Sequence, residues 1–322
     1  MGSRIVLALF ACLLLTGTAG CQRPQYPSEW SFGLIGDLPY APVEEPQFEK
    51  LIDAMNQENL AFVVHVGDFK SQNDPCGDGV YRRRLKQFNR FRHPFIFVPG
   101  DNEWTDCHKP EPPSDPLERL TFLRKVFYPT NRTLGQTNFE LERQSRSPAF
   151  ASFRENSRWS RSGILFVTLH VVGSNNGFGR SPEGDREHTQ RRAANQTWMK
   201  EAFRLATQER YRALMLFIHG NPRFDLIRGD AKRSGFEDFL SSLQTEMLAF
   251  SKPVVLVHGD THYFRIDKPL LNNETRRRIV HFTRVETFGV PDVHWLRITV
   301  QAINPNVFVF DPVLLSTNRE NS

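Results

Sequence analysis

The sequence predicts an α/β fold built on a parallel or mixed sheet, and three observations carry that expectation. Short apolar runs alternate with longer amphipathic stretches from residue 31 to residue 259. The runs are near-continuous in Val, Ile, Leu and Phe, as strands covered on both faces are. Strands that alternate with helices require crossover connections, which make neighbouring strands parallel.

The elements follow in order. SFGLIG (31–36) is the first strand, and a helix is predicted over 46–59. LAFVVHVG (60–67) precedes a helix over 78–92, and PFIFVPG (94–100) precedes one over 115–127. GILFVTLHVVG (163–173) is followed by a helix over 189–208, and ALMLFIHG (213–220) by one over 235–250. PVVLVHG (253–259) closes the alternation. The tail differs. IVHFTRVE, HWLRITVQA and NVFVFDPV are consecutive strand-like segments, expected as an antiparallel portion against or beside the main sheet. No linker separates them from the rest.

Composition fits a globular fold with a sizeable core: 322 residues, 39% hydrophobic and 24% charged. The formal net charge of +5 is spread along the chain. The one tight basic cluster, Arg82-Arg83-Arg84, falls in a helical pattern and reads as a solvated helix face, so no nucleic-acid partner is expected. There is no P-loop and no H-E-x-x-H, and GSNNG does not match the G-x-S-x-G of serine hydrolases.

The N-terminus reads as an export signal. Arg4, the apolar run IVLALFACLLL and the small residues TGTAG lead to Cys21. Residues 1–20 are expected to be removed, residues 21–30 to form a tether, and residues 31–315 to form one domain. Two readings stay open: lipidation of Cys21, as in bacterial lipoproteins, or simple cleavage near Gly20. Either makes the protein exported, periplasmic or membrane-anchored. Cys12 leaves with the signal. If Cys21 carries lipid, Cys76 and Cys107 remain as a disulfide pair.

In open α/β sheets ligands bind beyond the carboxyl ends of the strands. Those ends repeat one pattern here. They read Gly36-Asp37, Gly67-Asp68, Gly100-Asp101-Asn102-Glu103, Gly173-Ser174-Asn175-Asn176, His219-Gly220-Asn221 and Gly259-Asp260-Thr261-His262. Converging carboxylates repel one another and resist desolvation. Cations remove that cost, and a set of Asp, Asn and His suits Mn²⁺, Fe or Zn²⁺. His65 and His258, inside or at the end of their strands, are expected in the core. Asn175 and Asn176 read as a turn or as a substrate contact, and Tyr40 and Trp104 as the rim of the cleft or as core.

This series resembles the calcineurin-like metallophosphoesterases, whose motifs run D-x-H, GD, GNH-D/E, an isolated His, and GH-x-H. The resemblance covers roughly residues 31–265. It implies a four-layer α/β/β/α sandwich of two mixed sheets flanked by helices. It also implies a binuclear site holding two divalent metal ions, and hydrolysis of phosphomono- or diesters by a metal-activated hydroxide. The implied partner is a small phosphorylated substrate. The matching metal-site positions are Asp37, Asp68, Asp101, Asn102, His219, Asp260 and His262.

The departures from the family pattern are specific. D-x-H reads Asp37-Leu38-Pro39, with Tyr40 one residue later as a further candidate ligand, in the manner of the purple acid phosphatase branch. The Asn-His pair falls on Asp101-Asn102; alternatively Asn102 is the ligand and Glu103 takes the next place. Either alignment removes the His that protonates the leaving group, which leaves Asn102 and Glu103 as the catalytic candidates and Glu103 as an acid or an orienting group. GH-x-H reads Gly259-Asp260-Thr261-His262. Oxygen donors in place of imidazoles favour harder cations. Mn or Fe is expected, with Zn, Mg or Ca also admissible. A second function remains in view: a lipid-anchored binding protein that keeps the cleft with reduced catalysis.

Overall fold

The computed structural model describes residues 29–301 and 303–315. The signal segment, Cys21 and the tether up to residue 28 lie outside these residues, and Glu29 and Trp30 already belong to the first strand. Among the described residues no helix is long and apolar enough to cross a membrane.

The predicted runs form strands β1 (Glu29–Ile35), β2 (Leu60–His65), β3 (Phe95–Phe97), β6 (Ile164–Thr168), β7 (Ala213–Phe217) and β8 (Val254–His258). The helices are α1 (Glu45–Gln57), α2 (Asp78–Phe88), α3 (Pro116–Phe127), α4 (Pro182–Gln208) and α5 (Glu237–Ala249). Two short strands not anticipated, β4 (Glu142–Arg143) and β5 (Ser157–Arg161), precede β6. β9 (Arg265–Asp267), β10 (Phe282–Glu286), β11 (Trp295–Gln301) and β12 (Phe308–Val313) complete the chain.

The strands make two mixed sheets, ordered β12-β11-β1-β2-β3 and β4-β5-β6-β7-β8-β10-β9. Their inner faces meet in one apolar layer that includes Phe32, Phe62, Val64, Phe166, Phe217 and Val257. α1, α2 and α3 cover the outer face of the first sheet, burying Phe48, Leu51, Phe88 and Leu123. α4 and α5 cover the second, with Trp198, Phe203, Leu243 and Met247. The result is a four-layer α/β/β/α sandwich. All the strand ends carrying the candidate residues lie at one pole, because β1, β2 and β3 are parallel to one another, as are β6, β7, β8 and β10.

Three expectations need correction. The tail is not one antiparallel block: β10 joins β8 in parallel, whereas β11 and β12 add antiparallel to β1. Hydropathy alone does not tell which sheet edge a strand will join. α4 starts at Pro182, seven residues earlier than predicted, because Ser181 caps it by accepting from the Gly184 amide and proline fits the first turn. Arg84 does not lie on a solvated face. It is buried, donates to the Phe69 carbonyl and Gln87, and pairs with Glu45. Of the two places open to Trp104, rim or core, it takes the core.

Cys76 and Cys107 form a disulfide with a Cα–Cα distance of 5.7 Å, tying the start of α2 to the loop after β3. The bridge spans 31 residues of sequence. Replacing both cysteines with alanine is expected to cost about 3–4 kcal/mol through loop-closure entropy. Urea melts of the two forms measure this, and an unchanged midpoint would contradict it.

Candidate metal centre

Each candidate side chain is aimed by a sharp turn at the end of a strand. Asp37, Asp68, Asp260 and His262 all have left-handed backbone, with φ of 55°, 58°, 82° and 59°. Such conformations cost a non-glycine residue about 1–2 kcal/mol, and four at one pole mark a place where direction outweighs strain. The neighbouring glycines leave room for the carboxylates. A Cβ on Gly100 would overlap Asp68 Oδ1, and one on Gly173 would lie 2.5 Å from both Asp101 Oδ1 and Asp260 Oδ1.

Two overlapping clusters result. Ligand atoms of Asp37, Asp68 and His219 lie within 4.8 Å of one another, and so do those of Asp101, His219 and Asp260. His262 Nε2 adds to the first cluster, 3.6 Å from Asp37 Oδ1. His219 is common to both clusters, but one imidazole nitrogen can hold only one cation. Asp68 lies between the clusters, with Oδ1 3.4 Å from His219 Nε2 and Oδ2 3.0 Å from the Tyr40 hydroxyl, and would be placed to serve both cations.

The surroundings fix how these donors point. His219 Nδ1 donates to the Val66 carbonyl at 2.7 Å, and His262 Nδ1 to the Val290 carbonyl at 2.7 Å. A carbonyl can only accept, so both rings carry the proton on Nδ1 and turn Nε2 into the site, as metal-binding histidines do. The Asp260 amide donates to Asp37 Oδ1 at 2.9 Å, and Asp260 Oδ2 accepts from the Asn221 amide at 2.8 Å.

Glu103 lies beneath the loop. It is fully buried, and Oε1 accepts from the amides of Gly100 and Asp68 at 2.6 and 3.2 Å, while Oε2 has no partner. Of the two roles left open for it, this geometry is that of an orienting group. Asn102 places its side-chain amide 3.3 Å from the Tyr40 hydroxyl, and that hydroxyl is 2.8 Å from His262 Nε2.

Asn175 and Asn176 do not point at the carboxylates. The Asn175 side chain bonds Ser234 and the Gly235 amide. Asn176 accepts from buried Arg191 and donates to the Gly235 carbonyl. They brace the left-handed turn after β6 instead. His65 and His258 are buried, as expected, and burial pushes each imidazole down to about 3.

Sequence reasoning missed the supports. Lys70 Nζ donates to the Asn102 carbonyl at 2.9 Å, and Tyr81 donates to the Glu103 carbonyl at 2.6 Å. A lysine two residues past a strand-end aspartate was a signal for the first. Nothing in the sequence marked Tyr81 or Arg191.

The electrostatics record crowded negative charge. Burial, together with the Asp68 and Asp260 charges, drives the Asp37 carboxyl well above its ordinary value despite His219. Burial and Asp68 do the same to Glu103. Burial and the Asp101 charge push Asp260 up to about 7. Burial alone would lower the His219 imidazole, but Asp68 and Asp101 outweigh it and hold it well above the usual histidine range. Asp101 moves the other way, to about 2, because its bonds to His219 and Ser174 outweigh its burial. The donor set fits two cations: four carboxylates and two oriented imidazoles converge, and cations would replace protons the site otherwise has to hold.

Solved structures of similar shape carry the same fold. A dimetal phosphatase from Danio rerio superposes with a TM-score of 0.58 at 12% identity, covering 88% of this chain and 96% of that one. The structure of PhoD gives 0.55 at 12% identity, covering 86% of this chain and 65% of that one. The chain has the calcineurin-like metallophosphoesterase fold. No family model and no curated protein matches the sequence.

Without metal, the contribution of Asp260 to stability should depend on pH in a defined direction. Asp260 ionises near 3.8 in the unfolded chain and near 7 in the folded one. Between those values only the folded state keeps the proton, so its stabilising contribution is complete below about pH 4 and is lost as pH rises towards 7. His219, Asp37 and Glu103 act in the same sense. Buried His65 and His258 act in the opposite sense below about pH 6.5, so the test is a difference. The stability of metal-free wild-type protein relative to Asp260→Asn should fall as pH rises from about 4 to about 7. A difference that stays constant over that range would contradict the assignment.

Proposed function

We propose that the protein is an exported metal-dependent phosphoesterase. The convergence of Asp37, Asp68, Asp101, His219, Asp260 and His262 at the strand ends carries this reading. Asp37, Asp68 and His262, with Tyr40 beside them, would hold one divalent cation. Asp68, Asp101, His219 and Asp260 would hold the other. Two cations held there would lower the pKa of water and stabilise the charge that develops on phosphoryl oxygens.

The chain's own groups set the geometry. Nδ1 donation to Val66 and Val290 keeps the two imidazoles turned inward. Glu103 locks two of the acid-bearing turns together through the Gly100 and Asp68 amides. Asn102 stands where the family pattern has a histidine. Its amide can donate a hydrogen bond to an oxygen of the substrate, but it cannot give up a proton. Hydrolysis joins the water oxygen to phosphorus as the P–O bond to the leaving group breaks, and the departing oxygen takes its proton from solvent. General acid help is worth about 10²–10⁴-fold, so esters with good leaving groups are favoured.

Aryl phosphate esters assayed in Mn²⁺ test the reading. Turnover should drop at least about 10³-fold in Asp68→Asn, and it should fall steeply as the leaving group becomes more basic. A wild-type protein inert towards every aryl ester would favour the catalytically reduced binding protein instead.

Export rests on the N-terminal sequence alone. If Cys21 is lipidated, Cys21→Ser should move the protein from the membrane fraction to the soluble one. Equal distribution of the two forms would count for simple cleavage. Residues 31–315 are taken as one catalytic domain.

A further inference from the structure

Charge that is scattered along the sequence is gathered by the fold. The turns at the pole opposite the metal centre are residues 58–59, 89–94, 162–163, 209–212, 250–253, 268–281 and 303–307, with Glu29 and Arg161 at the strand ends beside them. Together they hold ten lysines and arginines against four glutamates, a surplus of six positive charges. The whole chain has 41 bases and 36 acids, so the remainder holds 31 and 32 and is one charge below neutral. The positive surplus of the protein therefore sits on this pole alone.

Much of it projects from one turn. The segment 268–281, between β9 and β10, carries Lys268, Arg276, Arg277 and Arg278, all exposed. Among the described residues no acid pairs with any of the four. Lys268 donates to the Val280 carbonyl and Arg278 to the Lys268 carbonyl, and bonds to carbonyl oxygens leave both charges in place. Large aliphatic side chains share the pole. Val280 is 67% exposed, Ile303 96%, and Leu248 at the end of α5 54%. Singly such residues mean little. Bases and bare aliphatics on one surface are what an anionic bilayer binds, through lipid phosphates and the headgroup layer respectively.

The chain also enters the fold here. β1 runs from Glu29 at this pole to the turn at Asp37 at the other. If Cys21 is lipidated, the residues between it and Glu29 reach at most about 25 Å, and they hold this pole, not the metal centre, next to the lipid.

We propose that the pole opposite the metal centre is a docking surface for a bilayer containing anionic phospholipid. The inference goes beyond the phosphoesterase reading and does not depend on it. Joined to that reading, it sets the class of substrate. The length of β1 alone puts the carboxylates about 20 Å or more from the docked surface, and the cleft opens away from it. The ester that reaches the metal centre is then water-soluble, not a headgroup of the lipid beneath.

Vesicle sedimentation tests the docking surface without metal or turnover, so its outcome is separate from that of the phosphoesterase assay. The described fold starts at Glu29, so the chain from residue 22 onwards keeps all of it and carries no lipid. It should bind vesicles of mixed phosphatidylglycerol and phosphatidylcholine at least about tenfold more tightly than vesicles of phosphatidylcholine, and about 0.5 M NaCl should remove the difference. Arg276→Glu/Arg277→Glu/Arg278→Glu should weaken binding about tenfold or more. Reversing as many charges on the metal pole, in Arg154→Glu/Arg228→Glu/Lys232→Glu, should weaken it less than about twofold. Equal binding to the two kinds of vesicle overturns the inference. So do equal losses in the two triple variants, because net charge alone would then suffice.

Discussion

Four carboxylates facing one another at the pole of a sandwich, three buried and Asp260 half-buried, constrain the rest of this structure. Like charges that close are costly in a poorly solvated site. The fold nevertheless spends left-handed backbone at Asp37, Asp68, Asp260 and His262 to bring them there. The raised carboxyls of Asp37 and Asp260 and the raised imidazole of His219 are the site's answer without metal: it keeps protons. Two cations are the other answer, and the inward-turned Nε2 atoms of His219 and His262 suit it.

The supporting layer follows from the same constraint. A loop carrying Asp101, Asn102 and Glu103 in succession would splay if left free. Lys70 and Tyr81 bind its carbonyls, Glu103 binds back to the amides of Gly100 and Asp68, and the Cys76–Cys107 bridge closes behind it. On the other side Arg191, through Asn176, holds the turn after β6 against Asp101 and Asp260. The cleft is therefore made of parts that cannot move independently. That suits chemistry in which position and charge do most of the work.

Much of this was legible in the sequence because it depends on local pattern. Runs such as PVVLVHG can only be covered strands, and a glycine followed by an acid at each strand end places the acids at one pole. The Cys76–Cys107 pair followed from counting cysteines. What was not legible depends on contacts that hydropathy does not reveal. The edge a tail strand joins is set across nearly the whole domain, as Glu29 pairs with Gln301, whereas the inward turn of Arg84 and the bracing of Asn176 by Arg191 rest on partners 15 residues away. From the sequence Asn175 and Asn176 could be a turn or a substrate contact, and the structure makes them a left-handed turn tied to Gly235. The role of Glu103 could be read only from its depth.

The departures at 101, 102 and 260 are consistent in direction: more negative charge and no proton donor at the position that usually has one. They leave the framework for two cations intact. The central claim is that two cations belong between these carboxylates. Anomalous diffraction from crystals grown with Mn²⁺ tests it most directly. The account predicts two peaks, one against Asp37, Asp68 and His262 and one against Asp68, Asp101, His219 and Asp260. A map without a peak at either position, from crystals in which the same side chains are ordered, would contradict it.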